Sequence, residues 1–186
     1  MSKLFQYGGI AASIVLIVFG IGAIYMGIDG RGYVRDNLAA EKIVGTEDST
    51  IPGQLVDTGA EAQAFAKVMR THTLESTGGK TYSEMGRFLD ANGKDTNDEK
   101  AAAINEQTGK PVENGLRNLW VTETALTTAL NTAYFAEQVA LFATVMGVAM
   151  LLAGLGFGVL TFRALMPAEK REEGRAKASP SAVVSA

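Results

Sequence analysis

Two long runs without a charged residue dominate this sequence. The first lies between Lys3 and Asp29, the second lies between Glu137 and Arg163, and each contains 25 residues. A helix needs roughly 20 mostly apolar residues to cross the roughly 30 Å hydrocarbon core of a bilayer. Each run therefore predicts one transmembrane helix. The predicted segments are a first helix in 1–28, an external domain in 29–138, a second helix in 139–163 and a tail in 164–186.

The first run has one alternative interpretation, a cleaved secretory signal. Such a signal has a positively charged start, an apolar stretch of roughly 7–15 residues and small residues at its cleavage site. Gly20 and Gly22 have the spacing of such a site, but the uncharged run is longer than a signal needs and its start carries only Lys3. We therefore expect a retained anchor.

The distribution of Lys and Arg predicts the orientation. The second run is followed by five cations, whereas the nearest cation before it is Arg117. Cytoplasmic segments next to a span carry an excess of Lys and Arg. The C-terminus is therefore predicted to be cytoplasmic, and two spans then place both termini inside the plasma membrane and residues 29–138 outside. The five cations are Arg163, Lys170, Arg171, Arg175 and Lys177.

The predicted external domain is acidic, and the whole chain lacks cysteine. Residues 29–138 contain 11 Lys and Arg against 17 Asp and Glu. The lack of cysteine excludes a thiol nucleophile, a zinc–thiolate site and an iron–sulfur cluster. With a pI of about 5.3 and no basic face, the chain is not predicted to bind nucleic acid.

Helical periodicity predicts a mainly α fold. We expect the first helix to continue outward through 31–44, a helix in 60–76, a short helix in 96–109, and a long helix from about Leu116 into the second span. No strong strand pattern accompanies them. The predicted architecture is a membrane-anchored helical hairpin with a small, mostly helical external domain inserted between its two transmembrane helices. The tail in 164–186 is predicted to be disordered.

Small residues form one stripe on each predicted span. Such stripes let helix backbones approach closely in lipid. Two interpretations stay open: the stripes pair the two helices of one chain, or they bind a second copy or another membrane protein. The two uncharged runs place no Asp, Glu, Lys, Arg or His inside the membrane, so no ion relay is predicted there. The stripe residues are Gly9, Ser13, Gly20 and Gly27 in the first span, and Ala143, Gly147, Gly154 and Gly158 in the second.

The segment "GGKT" at 78–81 resembles the end of a phosphate-binding loop. That loop needs its first glycine at position 74, which is Leu74, and it needs a strand before it. Nucleotide binding is therefore not predicted. Instead, Gly78 and Gly79 are expected to end the preceding helix, and Thr81 with Glu84 is expected to form a capping box that opens the next turn.

Two polar clusters have a loose resemblance to metal sites. His72 and Glu75 lie one helical turn apart, and 90–99 has the composition of a calcium loop. Against the EF-hand pattern, Gly93 falls at position four instead of six, and Lys94 occupies a ligand position. We therefore predict no metal and no other cofactor. A serine triad would have to use His72, and nothing near it resembles a nucleophile elbow, so no catalytic residue is predicted.

Three residues on the long helix before the second span form a candidate interaction surface. They are Trp120, Glu123 and Glu137, the last of which lies at the edge of the span beside Tyr134 and Phe135. An interfacial aromatic belt with a solvated acid is the alternative interpretation.

Three segments carry a resemblance to a known family. They are "EKIVGTED", "TLESTGGKTYSEMGRF" and "NLWVTETALTTALNTAYFAEQVALF". They resemble a family of small actinobacterial membrane proteins that have two spans around an external domain, and the resemblance covers most of residues 10–162. Members of that family often carry an automated label as an aromatic ring-opening dioxygenase subunit. The label implies a non-haem iron site of two His and a carboxylate, whereas this chain has one histidine.

These observations favour a non-enzymatic protein of the cell envelope that acts by contact, as an accessory or scaffold subunit. Its predicted partners are the lipid bilayer and either another membrane protein or a second copy of the chain. The alternative is an external ligand-binding or sensory domain, which predicts an apolar cavity between the external helices. The third hypothesis, ring-opening dioxygenase activity, predicts bound iron.

Overall fold

The computed structural model describes residues 3–165, with side chains from Tyr7 to Arg163. The chain is mainly helical and has two long apolar helices, as the sequence predicts. The predicted disordered tail lies outside the described residues from position 166 onward. The elements are helix α1 (Lys3–Ala40), helix α2 (Gly59–Ser76), a 3-10 helix (Tyr82–Glu84), strand β1 (Phe88–Leu89), strand β2 (Asp95–Thr96) and helix α3 (Gly115–Leu165).

The described residues divide into two compact units. The apolar unit contains the described residues up to Ile28 and those from Leu141 onward. The central unit contains Asp29–Ala140. Helices α1 and α3 each contribute residues to both units.

Both long helices are apolar on surfaces that the chain itself does not cover. In the most apolar 18-residue window of each helix, 11% of the residues are buried in α1 and 17% in α3. A helix that is apolar all round is normally buried in a large core or in a membrane. The two helices are therefore long and apolar enough to cross a membrane.

The two helices of the apolar unit pack through their small residues. A Cβ atom added at Gly20 would lie 2.8 Å from the carbonyl oxygen of Gly147, and one added at Gly147 would lie 2.7 Å from the carbonyl oxygen of Gly20. The Ser13 hydroxyl donates a buried hydrogen bond of 2.6 Å to the carbonyl oxygen of Gly154. The two stripes thus face each other within one chain.

The other stripe residues take part in the same packing or lie beside it. Gly9 faces the side chain of Thr161, and Gly158 faces the hydroxyl of Ser13. Gly27 is buried and Ala143 is half-buried. Close backbone approach explains why Gly20, Gly147 and Gly154 are glycines.

The core of the central unit lies where its three helices meet. Leu38 of α1, Val56 before α2, Ala62 and Ala66 of α2, and Leu130 of α3 are all buried. Small alanines on the inner face of α2 let it lie close to the other two helices. Partly buried residues extend this core: Val34, Ile43, Ile51, Phe65, Met69 and Ala133.

The corner after α2 forms as the sequence predicts. Gly78 has φ +63° and Gly79 has φ +80°, conformations that favour glycine, and the Gly79 N–H donates to the Leu74 carbonyl oxygen at 2.7 Å. The Glu84 carboxylate accepts hydrogen bonds of 2.7 Å from both the N–H and the hydroxyl of Thr81. The "GGKT" segment is therefore a turn between two helical segments.

The short helix predicted in 96–109 is wrong. This segment forms turns and isolated β-bridges, in which Ala102 pairs with Asp90 and Ile104 pairs with Pro111. The cause is local, because the Asn105 side chain accepts the N–H groups of Gln107 and Thr108 and so competes with helical hydrogen bonds. The adjacent β1 and β2 pair antiparallel over only two residues each, too few to give a periodic signal in the sequence.

Candidate ligand-binding cavity

Three helices of the central unit are joined at the carboxylate of Glu137. One oxygen, Oε2, accepts the N–H of Gly59 at 2.6 Å, and the other, Oε1, accepts Nε–H of Arg31 at 2.7 Å. The Glu137 side chain is 7% exposed, whereas that of Arg31 is 50% exposed. Gly59 begins α2, where N–H groups lack helical partners and the helix dipole favours a negative charge. Glu137 thus ties α3 to the start of α2 and to α1.

The start of α2 fits against α3 only because position 59 is glycine. A Cβ atom at Gly59 would lie 2.8 Å from Cα of Tyr134 and 2.7 Å from Oε2 of Glu137. Thr58 caps the helix, and Glu61 completes the capping box. Burial raises the pKa of Glu61, but hydrogen bonds from Thr58 and Asp57 outweigh it, and the net pKa lies below the usual value.

Beside this junction the three helices line an apolar cavity of about 720 Å³ that is open to the outside. Its deepest residues, Leu38 of α1 and Leu130 of α3, belong to the core of the central unit. Phe65 and Met69 of α2 are half-buried in its wall. The remaining lining residues are Tyr33, Val34, Asn37, Glu41, Ile43, Leu126, Ala129 and Ala133.

The polar groups of the cavity lie in one row on α1 and just beyond its end. Tyr33, Asn37 and Glu41 are exposed and recur at intervals of four residues. The Asn37 amide donates to the Tyr33 carbonyl oxygen at 2.7 Å, so its own side-chain oxygen faces away from that bond. Among the described residues, no Lys, Arg or His lines the cavity. Its wall is therefore apolar, with hydrogen-bond acceptors and one carboxylate along one side.

A second, smaller cavity of about 450 Å³ lies along another side of α3. It is largely apolar and lacks a carboxylate. Its lining residues are Tyr82, Trp120, Val121, Thr124, Ala125 and Thr128.

The candidate interaction surface predicted from the sequence is wrong, because all three of its residues are buried. Trp120 is 2% exposed, Glu123 is 4% exposed and Glu137 is 6% exposed. The Trp120 indole N–H donates to the Lys80 carbonyl oxygen at 2.9 Å, and the Arg70 guanidinium lies 5.2 Å from the centre of its ring. Trp120 and Glu137 thus attach α3 to the rest of the central unit.

A sequence signal for this burial exists in the spacing. Trp120, Glu123, Leu130 and Glu137 recur at intervals of three and seven residues, which places them on one helix face. Polar side chains that share a helix face with Trp and Leu are expected to be buried with them and to form hydrogen bonds there.

The outward face of α3 in the central unit carries no charge. Between Arg117 and Arg163 the only charged residues are Glu123 and Glu137, and both are buried. Six of the exposed residues in this stretch recur alternately at intervals of four and three, the spacing of a helix-pairing seam. The sequence analysis did not identify this seam, because it placed the candidate interaction surface on the side of the helix that carries the two glutamates. Its residues are Val121, Ala125, Thr128, Thr132, Phe135 and Val139.

The single histidine forms a surface pair with an acid. His72 Nε2 lies 2.5 Å from Asp48 Oδ2, and both side chains are about half-exposed. The hydrogen bond with His72 lowers the pKa of Asp48. This pairing fixes the 45–54 loop on α2.

Neither predicted metal-like cluster gathers ligands. Asp90 Oδ1 accepts the N–H groups of Asn92 and Lys94, so it stabilises its own turn. Within residues 7–163, no group of three or more His, Asp or Glu side chains is placed to hold a metal ion.

Comparisons with models of protein families, with curated proteins and with solved structures found no match. The function must therefore be inferred from the cavities, contacts and charges of the chain itself.

Proposed function

We propose that the protein is a membrane-anchored binding protein whose central unit takes an apolar ligand. The observation that carries this proposal is the cavity of about 720 Å³ between α1, α2 and α3. Small-molecule sites are typically concave, mostly apolar and roughly 300–1,000 Å³ in volume, with a few polar groups that orient the ligand. The cavity has each of these properties.

The membrane anchoring rests on the apolar unit. Its exposed large side chains are aliphatic or aromatic on both helices, and exposure of so much apolar surface to water would be costly. A bilayer would cover this surface. The exposed side chains include Ile14, Val18, Phe19, Ile21 and Met26 on α1, and Phe142, Val145, Leu152, Leu160 and Phe162 on α3.

The orientation follows from the charge bias described above. In our proposal both termini lie in the cytoplasm, residues 29–138 lie outside the plasma membrane, and the segments keep the boundaries predicted from the sequence. Because the chain has no cysteine, single cysteines can report this directly. A Thr108→Cys variant should react with a membrane-impermeant maleimide in intact cells, whereas a Ser181→Cys variant should react only after permeabilisation. The reverse labelling pattern would overturn the orientation.

Apolar contact alone would give only weak binding. A ligand that removes about 300 Å² of apolar surface from water gains about 7 kcal/mol, and association costs at least about 4 kcal/mol. The remaining 3 kcal/mol or so corresponds to millimolar affinity. A physiological ligand therefore also needs the polar row of Tyr33, Asn37 and Glu41.

The test uses the full chain in nanodiscs and the neutral apolar fluorophore N-phenyl-1-naphthylamine. Trp120 is the single tryptophan, and it lies ten residues from Leu130 on the same helix, about 15 Å along the axis. Energy transfer from Trp120 to the bound fluorophore should be saturable and should exceed the signal of empty nanodiscs.

Two matched alanine variants locate the bound fluorophore. Ala129→Phe fills the large cavity from an exposed position and should weaken binding by about tenfold or more. Ala125→Phe makes the same change one turn away, in the smaller cavity, and should leave binding nearly unchanged. Loss of binding in Ala125→Phe alone, or no saturable binding in the wild type, would contradict the proposal.

A second candidate function is contact with another membrane protein or with a second copy, as an accessory or scaffold subunit. The uncharged outward seam of α3 favours it, because a water-facing helix normally carries charged residues on its outer face. A Thr128→Cys variant should form a cross-link in native membranes, and an exposed α2 control, Lys67→Cys, should not. The mass of the product distinguishes a second copy from another protein. No product would count against this function.

We do not propose the aromatic ring-opening activity that the family label implies. A non-haem iron of that type needs two His and a carboxylate. The one histidine of the chain is paired with Asp48 on the surface, and no three ligating side chains lie together within residues 7–163. The residues present do not fit such an iron.

A further inference from the structure

We infer that the cavity selects amphiphiles with a cationic amine head, and that Glu41 binds that head. The inference rests on the proposed function, because it assigns the chemistry of the ligand that the same cavity takes. It follows from the charges that line the cavity and from those that are engaged elsewhere.

Among the side chains that the structure describes, Glu41 contributes the only charge to the lining of the cavity. It is exposed, and it makes no ion pair with any residue that the structure describes. Two neutral groups, the hydroxyl of Tyr33 and the side-chain oxygen of Asn37, stand in the same row and can accept hydrogen bonds. An ammonium group, with three donors and no acceptor, complements this set.

Of the cations nearest to Glu41 in the sequence, Lys42 is exposed and does not line the cavity, and the two arginines of α1 are engaged in other contacts. Arg31 is paired with Glu137 at 2.7 Å, and Arg35 lies 4.0 Å from Asp57. Neither arginine lines the cavity. An anionic head, such as a carboxylate or a phosphate, would therefore meet Glu41 without a compensating positive charge.

The end of α1 adds to the same polarity. Helix C-termini carry a partial negative charge, and the last turn of α1 contains no basic residue to offset it. Glu41 follows directly after Ala40, where α1 ends. The central unit as a whole is acidic, with 11 Lys and Arg against 17 Asp and Glu in 29–138. Local and overall charge both favour a cation and disfavour an anion.

The test compares three amphiphiles with eight carbons each and heads of different charge: octylamine, octanol and octanoate. Each competes with N-phenyl-1-naphthylamine for the full chain in zwitterionic nanodiscs. Octylamine should displace the fluorophore at a concentration about tenfold lower than octanol, and octanoate should be the weakest competitor. A competition order with octanoate equal to or better than octylamine would overturn the inference.

Two carboxylate variants assign the preference to one residue. Glu41→Gln should bring octylamine to within about twofold of octanol, while its affinity for the neutral fluorophore stays within about twofold of wild type. Glu47→Gln, a matched change at an exposed acid outside the cavity, should keep the full amine preference. An amine preference that survives in Glu41→Gln would refute the role of Glu41.

The outcomes separate the inference from the function on which it rests. If the neutral fluorophore does not bind saturably, the binding function fails. If it binds, is blocked by Ala129→Phe and yet shows no amine preference, the function stands and the inference fails.

Discussion

Replacement of Glu137 should destabilise the central unit more than replacement of any exposed acid. The side chain accepts two hydrogen bonds, from Gly59 N–H at 2.6 Å and from Arg31 Nε–H at 2.7 Å. A hydrogen bond to a charged group contributes about 1.5–3 kcal/mol. Arg31 is half-exposed and can be rehydrated, so its bond belongs at or below the lower end of that range.

These contacts rank the expected losses in the free energy of unfolding for three variants. Glu137→Ala leaves the Gly59 N–H without its acceptor and should cost about 3–4 kcal/mol of the free energy of unfolding. Glu137→Gln keeps an oxygen for Gly59 but loses the charge opposite Arg31, and should cost about 1–2 kcal/mol. Arg31→Ala should cost about 1 kcal/mol or less.

The assay is urea unfolding of the full chain in nanodiscs, followed by the fluorescence of Trp120. This residue is the single tryptophan, is 2% exposed and belongs to the central unit, so its emission reports on that unit. Glu75→Gln, an exposed acid on α2, is the control and should stay within about 0.5 kcal/mol of wild type. The reasoning would be refuted if Glu137→Ala unfolded at the wild-type midpoint, or if Glu137→Gln were as destabilised as Glu137→Ala.

Three further changes test other parts of the fold. Gly59→Ala should cost about 2 kcal/mol or more in the same urea assay, because its Cβ would lie 2.8 Å from Cα of Tyr134. A Ser13→Cys/Gly158→Cys pair should form a disulfide within one chain, because a Cβ at Gly158 lies 3.9 Å from Cβ of Ser13, close to the usual disulfide spacing. The hydrogen bond from Gly86 N–H, with the contact from Lys80, lowers the pKa of Asp95. The stability that Asp95 contributes should therefore be present above its ordinary pKa of 3.8 and be lost as the pH falls through the lowered value. Urea midpoints of wild type and Asp95→Asn, measured from neutral to acidic pH, should converge in that acidic window.

Each of these changes has its own control. Gly115→Ala adds a Cβ with no atom within 4 Å and should leave the urea midpoint nearly unchanged. A Gly22→Cys/Gly158→Cys pair should stay reduced, since a Cβ at Gly22 has no atom within 4 Å. A Ser13–Gly158 pair that links two chains, a tolerated Gly59→Ala, or an equal Asp95 effect at every pH would each contradict the contact concerned.

The helices and the corner after α2 could be predicted because their signals are local. Uncharged runs of helical length, the Thr81–Glu84 pair and the adjacent glycines each specify structure within a few residues. The helix predicted in 96–109 failed for a reason that is also local. The Asn105 side chain accepts hydrogen bonds from the N–H groups of Gln107 and Thr108, which a helix would need for its own backbone bonds.

The candidate site could not be predicted, because it depends on contacts between distant segments. The charge of Glu123 and Glu137 suggested that both side chains face outward. In the structure Glu137 is buried and accepts a hydrogen bond from Arg31, which lies 106 positions earlier in the chain. The cavity exists only when α1, α2 and α3 lie side by side, and no single segment carries its pattern. Sequence reasoning did predict that a ligand-binding domain would need such a cavity, but it could not place Leu38, Phe65 and Leu130 around one space.

The most direct test of the central claim is native mass spectrometry of the full chain, extracted from its own membrane without exchange of bound molecules. The wild type and Ala125→Phe should retain a small-molecule adduct of defined mass, and Ala129→Phe should lose it. An adduct that all three proteins retain equally, or a wild type that carries none, would contradict a ligand in the cavity between α1, α2 and α3.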